Sequence, residues 1–144
     1  MERYGAALSV EELAWAAGLF EGEGTASITS GGARWRTRAR CSVPSTDIFT
    51  AAYFQARWGG TVHTARRGGN ARDCYVWQIS GDGMMQFLLE LRPYIRRPIV
   101  QERFDLLMED HDTRRQGARD PQYREQRLQF LQRSALLNAR GRER

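Results

Sequence analysis

The chain has no lysine. All 22 of its basic side chains are arginine, set against 17 acids and two histidines for a net charge of +5. Arginine keeps its proton near neutral pH, so any proton transfer would fall to carboxylates, histidine or water. No apolar run approaches the ~18 residues that a membrane-spanning helix needs, which excludes that class. The first residues include Glu2 and Arg3 and lack the apolar core of a secretory leader, so the expectation is an intracellular protein of the cytoplasm or nucleoid, not a secreted one. Cysteine is scarce. Cys41 and Cys74 have neither zinc-like spacing nor added Cys/His partners, so they read as buried small hydrophobes in a reducing compartment rather than a metal–thiolate pair.

What is present is uneven in charge. From Gly24 to Arg72 there are eight arginines and one acid, Asp47; from Glu102 to Asp112 there are five acids and one arginine, Arg103. The first stretch should face a polyanion and the second should face water. A length of 144 residues suits one domain with a sizeable core, and 41% hydrophobic residues is a globular value.

The stretch Ala16-Ala17-Gly18-Leu19-Phe20-Glu21-Gly22-Glu23-Gly24 organises the rest. Ser9-Val10-Glu11-Glu12 fits a capping box that starts a helix near Val10, and Leu13, Ala16, Ala17, Leu19 and Phe20 continue it at helical spacing. Gly18 and Gly22 stand four apart on one face with Ala14 a turn earlier. Glycine inside a helix costs about 1 kcal/mol relative to alanine, so another backbone is expected close to that face. The helix delivers Glu21 and Glu23 to its C-terminus, where the macrodipole is unfavourable to carboxylates; a divalent cation would compensate. An ordinary amphipathic helix with a glycine-rich cap accounts for the same spacing.

Thr25–Ser30 alternates as a strand, with a turn signal at Gly31-Gly32. Arg34 to Val43 then alternates almost without a break. Arg34, Arg36, Arg38, Arg40 and Ser42 fall on one face; Trp35, Thr37, Ala39, Cys41 and Val43 fall on the other. Guanidiniums spaced about 7 Å apart repel one another unless an anion lies along the row, which makes the stripe an electrostatic footprint for nucleic acid. After Pro44, Ser45 or Thr46 can cap a second helix, Asp47 to Trp58, with Ile48, Phe49, Ala52, Tyr53 and Ala56 as its inward stripe. A second strand pair follows, Thr61–Arg66 and Asp73–Ile79, joined through Gly68-Gly69-Asn70. Arg66, Arg67 and Arg72 crowd its tip. His63 is a candidate phosphate or base contact. Parity groups Asp73, Tyr75 and Trp77, with Trp77 assigned to the core and Gln78 set toward the helices. A third helix runs from Gly81 to before Pro93, and Tyr94-Ile95-Arg96-Arg97 is a basic connector. Pro98 opens a fourth helix, with Val100, Phe104, Leu107 and Met108 as its stripe. The expected partition is a domain over 1–112, a linker over 113–121, a further helix over 122–139 carrying Tyr123, Leu128, Phe130, Leu131, Leu136 and Leu137, and a tail over 140–144.

The nine-residue stretch resembles the LAGLIDADG homing endonuclease signature, with Glu21 and Glu23 at its acidic positions and Gly18 and Gly22 at its small ones. The element order agrees from Ser9 to about Glu109. The resemblance implies an α+β fold, α-β-β-α-β-β-α, whose antiparallel four-stranded saddle lies in the DNA major groove, here with an extra C-terminal helix. One motif copy implies a homodimer in which Ala14, Gly18, Gly22 and Glu21 form the helix seam. It implies a site-specific, Mg²⁺-dependent endonuclease that makes a staggered break in a pseudo-palindromic duplex site. Mn²⁺ is an alternative metal, and Ca²⁺ is expected to support binding without cleavage. Glu23 is the implied metal ligand together with the Gly22 carbonyl. The implied contact set on the saddle is Ser27, Thr29, Arg34, Arg36, Arg38, Arg40, Ser42, His63, Arg66, Arg67, Arg72, Asp73 and Tyr75. Two positions depart from the family pattern. Ser45 stands where the family often has Asn or Gln around the scissile phosphate. Pro98 stands at the usual lysine position, so Arg96 or Arg97 would have to supply positive charge there. The competing readings are a non-cleaving regulator or an RNA splicing maturase on the same scaffold, and an interaction domain whose basic surface binds DNA weakly and without selectivity.

Overall fold

The computed structural model describes residues 8–31, 37–66, 69, 73–116 and 121–142. Their elements are α1 (Val10–Glu23), β1 (Thr25–Ser30), β2 (Thr37–Ser45), α2 (Ile48–Trp58), β3 (Thr61–Ala65), β4 (Cys74–Ile79), α3 (Gly81–Leu91), a 3₁₀ turn (Arg92–Tyr94), α4 (Pro98–Gln116) and α5 (Pro121–Arg142). The α-β-β-α-β-β-α order is the expected one, with two helices after it. The strands form one sheet in the order β1-β2-β4-β3, with β4 antiparallel to both β2 and β3. No helix among the described residues is long and apolar enough to cross a membrane. Compact packing divides the chain into a first unit, Met1–Thr25 with Cys41–Ile95, and a second, Ala26–Arg40 with Arg96–Arg144. The division runs through β2.

The first unit is built on aromatics. Ser9 caps α1: its Oγ accepts from the Glu12 N–H at 3.1 Å. The reciprocal half of the capping box is replaced, because the Glu12 carboxylate pairs instead with Arg57 at 3.2 Å. Ala16, Ala17 and Phe20 are the buried face of α1. Phe54, Trp58, Trp77 and Phe87 pack with ring centroids 4.9–6.2 Å apart. Both buried indoles keep a hydrogen-bond partner, as buried tryptophans usually do: Trp58 Nε1 donates to Glu90 Oε2 at 2.7 Å, and Trp77 Nε1 to the Gly59 carbonyl at 2.8 Å. Trp77 is therefore core, as expected, and so are Cys41 and Cys74, which are both buried. Burial pushes the Cys41 thiol far up, which keeps it protonated and inert.

Helix α2 corrects the expected phase. Its buried stripe is Ala51, Phe54 and Trp58, while Ile48 is 49% and Phe49 79% exposed. Two apolar stripes exist on this helix, and the one with the larger rings takes the core because it meets Trp77 and Phe87. The cap is also different. Asp47 Oδ1 accepts from the Phe49 N–H at 2.9 Å, and Ser45 Oγ accepts from the Asp47 N–H at 3.0 Å.

The second unit holds β1, the start of β2, α4 and α5. Ala26, Ser27 and Ile28 are successively buried, so both faces of β1 are covered and the expected alternation fails there. Helix α4 continues through Gln116, four residues into the stretch expected as a linker, and α5 runs from Pro121 through Arg142; residues 117–120 lie outside the described ones. The acidic stretch was expected to face water, but Asp110 is fully buried, paired with Arg127 and with Arg114. A buried carboxylate demands such cations, since an unpaired one costs several kcal/mol. The inward face of α5 is Tyr123, Arg127, Phe130 and Ser134; Leu128 and Leu136 are 44% and 66% exposed.

Candidate active site and nucleic-acid interface

Glu23 ends α1, and the next residue fixes where it points. The Gly24 N–H donates to the Phe20 carbonyl at 2.7 Å, closing the last turn. Gly24 is not left-handed (φ −83). It is required by contact: a Cβ there would lie 2.4 Å from the Phe20 ring, whose other neighbour is Phe87 at 5.5 Å. A rigid aromatic packing thus sets the helix end. Glu23 is exposed, Glu21 is half-buried, and the last turn carries no basic residue.

Glu23 opens onto a cleft of about 410 Å³ that Leu19, Pro44, Ser45, Thr46, Thr50 and Cys74 also line. The structure therefore brings Glu23 and Ser45 to one place. Glu23 is the one carboxylate among those lining residues. Ser45 is already an acceptor for the Asp47 N–H, so its short hydroxyl keeps a proton to donate into the cleft. Arg96 and Arg97 stand in the second unit at the start of α4, where the Arg97 carbonyl accepts from Val100 and Gln101, each at 3.0 Å. Arg97 bears on Arg103, whose pKa is lowered first by burial and then by that neighbouring charge.

The carboxylate of Glu23 is a hard oxygen donor of the kind a divalent cation takes. Among the described residues no three His, Cys, Asp or Glu side chains gather in one place. One exposed carboxylate at the negative end of a helix, with no cation in its turn, matches Mg²⁺, which takes one or two carboxylates and keeps its waters.

The opposite face of α1 is bare. Ala14, Gly18 and Gly22 are exposed, and a Cβ added at Gly18 or Gly22 meets nothing within 4 Å. Among the described residues nothing requires glycine at either position.

On β2, exposed Arg38 and half-buried Arg40 and Ser42 alternate with buried Thr37, Cys41 and Val43, as the sequence predicts. Register places Ser42, Gln78 and Thr61 in one cross-strand row, and Pro44, Val76 and His63 in the next. His63 is exposed there. Tyr75 lies opposite Ser45 and Thr64 on the Trp77 side of the sheet, so it does not share the face of Ser42 and His63. Asp73, exposed just before β4, has the same parity as Tyr75. Gln78, expected to face the helices, is on the Ser42 face instead. Val76 and Thr61 share that face, as the core assignment of Trp77 implies by alternation, and none of the three was a sequence candidate. Ser27 is only 9% exposed, Thr29 is half-buried, and Arg66 is exposed. Arg34, Arg36, Arg67 and Arg72 lie outside the described residues.

The fold is that of the LAGLIDADG homing endonucleases. The structure resembles the homing endonuclease I-CvuI in complex with its target in the presence of Ca, with a TM-score of 0.72 at 21% identity over 88% of this chain and 82% of that one. It resembles equally the archaeal intron-encoded homing endonuclease I-Vdi141I complexed with DNA, with a TM-score of 0.73 at 13% identity over 88% and 84%. The LAGLIDADG meganuclease I-AabMI, bound to uncleaved DNA, matches over 82% of this chain but only 43% of its own, with a TM-score of 0.64 at 15% identity. No protein-family profile matches the sequence. No curated protein sequence matches it either.

Proposed function

We propose that the chain is a site-specific DNA endonuclease that acts as a homodimer, with α1 of each copy packed along Ala14, Gly18 and Gly22. The observation that carries this is the pairing of two features on one helix: a glycine face with open space around it, and an exposed Glu23 entering a cleft with Ser45. Isologous packing sets the two Glu23 carboxylates together at the seam and gives the target twofold character. Like charges so placed raise each other's pKa unless a cation neutralises them. Glu23 and the Gly22 carbonyl would hold Mg²⁺, which when bound supplies Lewis acidity at the scissile phosphate. Ser45 donates toward the phosphate or its ordered water. In the second unit Arg38 and Arg40, and in the first unit Ser42, Gln78, Thr61 and His63, are the residues that read DNA.

A binding-only regulator is the second reading. Pro98, at the usual lysine position, is the first residue of α4 and brings no donor. The test is a randomised duplex library with the purified protein. Sequence-selective retention in Ca²⁺ and double-strand cutting of the retained sites in Mg²⁺ support the endonuclease. Selective retention without cutting supports the regulator, and retention without selectivity defeats both.

A further inference from the structure

The role of α5 follows from where its buried polar groups go. Helix α5 turns Arg127 and Ser134 inward and leaves Leu128 and Leu136 outside. Each inward polar residue leads to a strand. Ser134, 2% exposed, accepts at Oγ from the Ile28 N–H of β1 at 2.8 Å across 106 residues of sequence. β1 is the edge strand of the sheet, where backbone N–H groups lack a ladder partner and buried ones must find another. Arg127 reaches β2 through α4. Its guanidinium lies over the rings of Tyr123 at 4.8 Å and Phe130 at 4.9 Å and donates to Asp110 Oδ1 and Thr113 Oγ1. Asp110 Oδ2 accepts from Arg114 Nε at 2.7 Å. Arg114 Nη2 in turn donates to Thr37 Oγ1 at 2.7 Å and to the Thr37 carbonyl at 3.0 Å. Thr37 is the residue before Arg38.

We infer that α5 is a positioning element for the DNA-reading strands: Ser134 holds β1, and the Arg127–Asp110–Arg114 relay holds the start of β2 at Thr37. This rests on the reading of β2 as a DNA-contacting strand. Well-packed hydrophobic residues could replace such a buried ion pair with little loss of stability, so its value lies in fixing geometry. The planar fork of Arg114 is what allows one side chain to bridge a carboxylate and two oxygens of Thr37.

The experiment has two arms. Backbone hydrogen exchange on the free protein compares wild type with Ser134→Ala and Ser134→Thr. Removing the acceptor should speed exchange at Ile28 by about tenfold, the scale of one hydrogen bond, while the β4 amides keep their protection and threonine restores the wild-type rate. Unchanged exchange at Ile28, or equal acceleration in β1 and β4, overturns the inference. The second arm scores base preference on sites selected from a duplex library. Arg38→Ala marks the positions read from β2, and His63→Ala those read from β3. Arg114→Lys should relax the Arg38 positions and spare the His63 positions; uniform loss at both overturns the inference. A wild-type protein that selects no sequence defeats the DNA reading itself, and the Ile28 exchange rate then decides the bracing role alone.

Discussion

Glu23, the last residue of α1, and Ser45, the last residue of β2, face one cleft although 22 positions separate them. One is a carboxylate at a negative helix end; the other is a hydroxyl with its proton free to donate. A substitution tests whether this carboxylate is catalytic, as proposed, or merely solvated. Glu23→Gln keeps shape and removes charge. Cutting in Mg²⁺ should fall by about a thousandfold or more, the loss of several kcal/mol of charge stabilisation. Binding in Ca²⁺ to the selected site should persist. The paired measurement is gel-shift affinity against single-turnover cleavage, and loss of both together would make Glu23 structural.

The glycines divide by what surrounds them. Gly18 has open space, so Gly18→Leu should fold and, in the monomer at high dilution, gain about 0.5–1 kcal/mol from helix propensity. The same change should abolish the dimer, because a bulky side chain would fill the seam. Gly24 behaves oppositely. An alanine Cβ 2.4 Å from the buried Phe20 ring should cost about 1–3 kcal/mol by overpacking. Thermal melts and analytical ultracentrifugation separate the two effects: Gly18→Leu changes assembly, Gly24→Ala changes stability. A Gly18→Leu chain that still sediments as a dimer would place the seam elsewhere.

Local signals were the legible ones. Ser9 capping α1, Pro98 at the first turn of α4, and the part of the arginine alternation at Arg38 and Arg40 in β2 each depend on a few neighbouring residues, and each is found in the structure. Position along the chain also gave the element order. Long-range packing was not legible. Asp110 reads as one more acid in an acidic run until its pairing with Arg114 and with Arg127, 17 residues on, makes it a core residue. Ser27 alternates as a surface residue until α5 is seen to supply Ser134 beside it in sequence at Ile28.

Helix α2 provides a direct check of phase, because it carries two apolar stripes that differ by rotation about its axis. Phe54 is fully buried, with Trp77 at 4.9 Å and Trp58 at 5.5 Å. Phe54→Ala should therefore cost about 3–5 kcal/mol. Phe49, 79% exposed, should tolerate Phe49→Ser within about 0.5 kcal/mol in the monomer. Urea unfolding of the two variants decides it. Comparable losses from both would mean that the helix sits in the orientation its other stripe demands.

Arg38 tests what the guanidinium row is for. It is exposed, on the same side of β2 as Ser42, and stands next to Thr37, which Arg114 holds by two oxygens. If Arg38 neutralises a phosphate, Arg38→Ala weakens binding evenly across sequences, and the slope of log K against log salt becomes shallower by about 0.9 for each chain's lost contact. If it reads a guanine edge, one base position in each half-site loses about 1–3 kcal/mol of discrimination and the slope scarcely moves. Titrations of the selected site and a single-base variant, repeated across a salt series, separate these outcomes. An unchanged affinity and slope would remove β2 from the DNA interface, because an exposed arginine within a major groove cannot be silent in both.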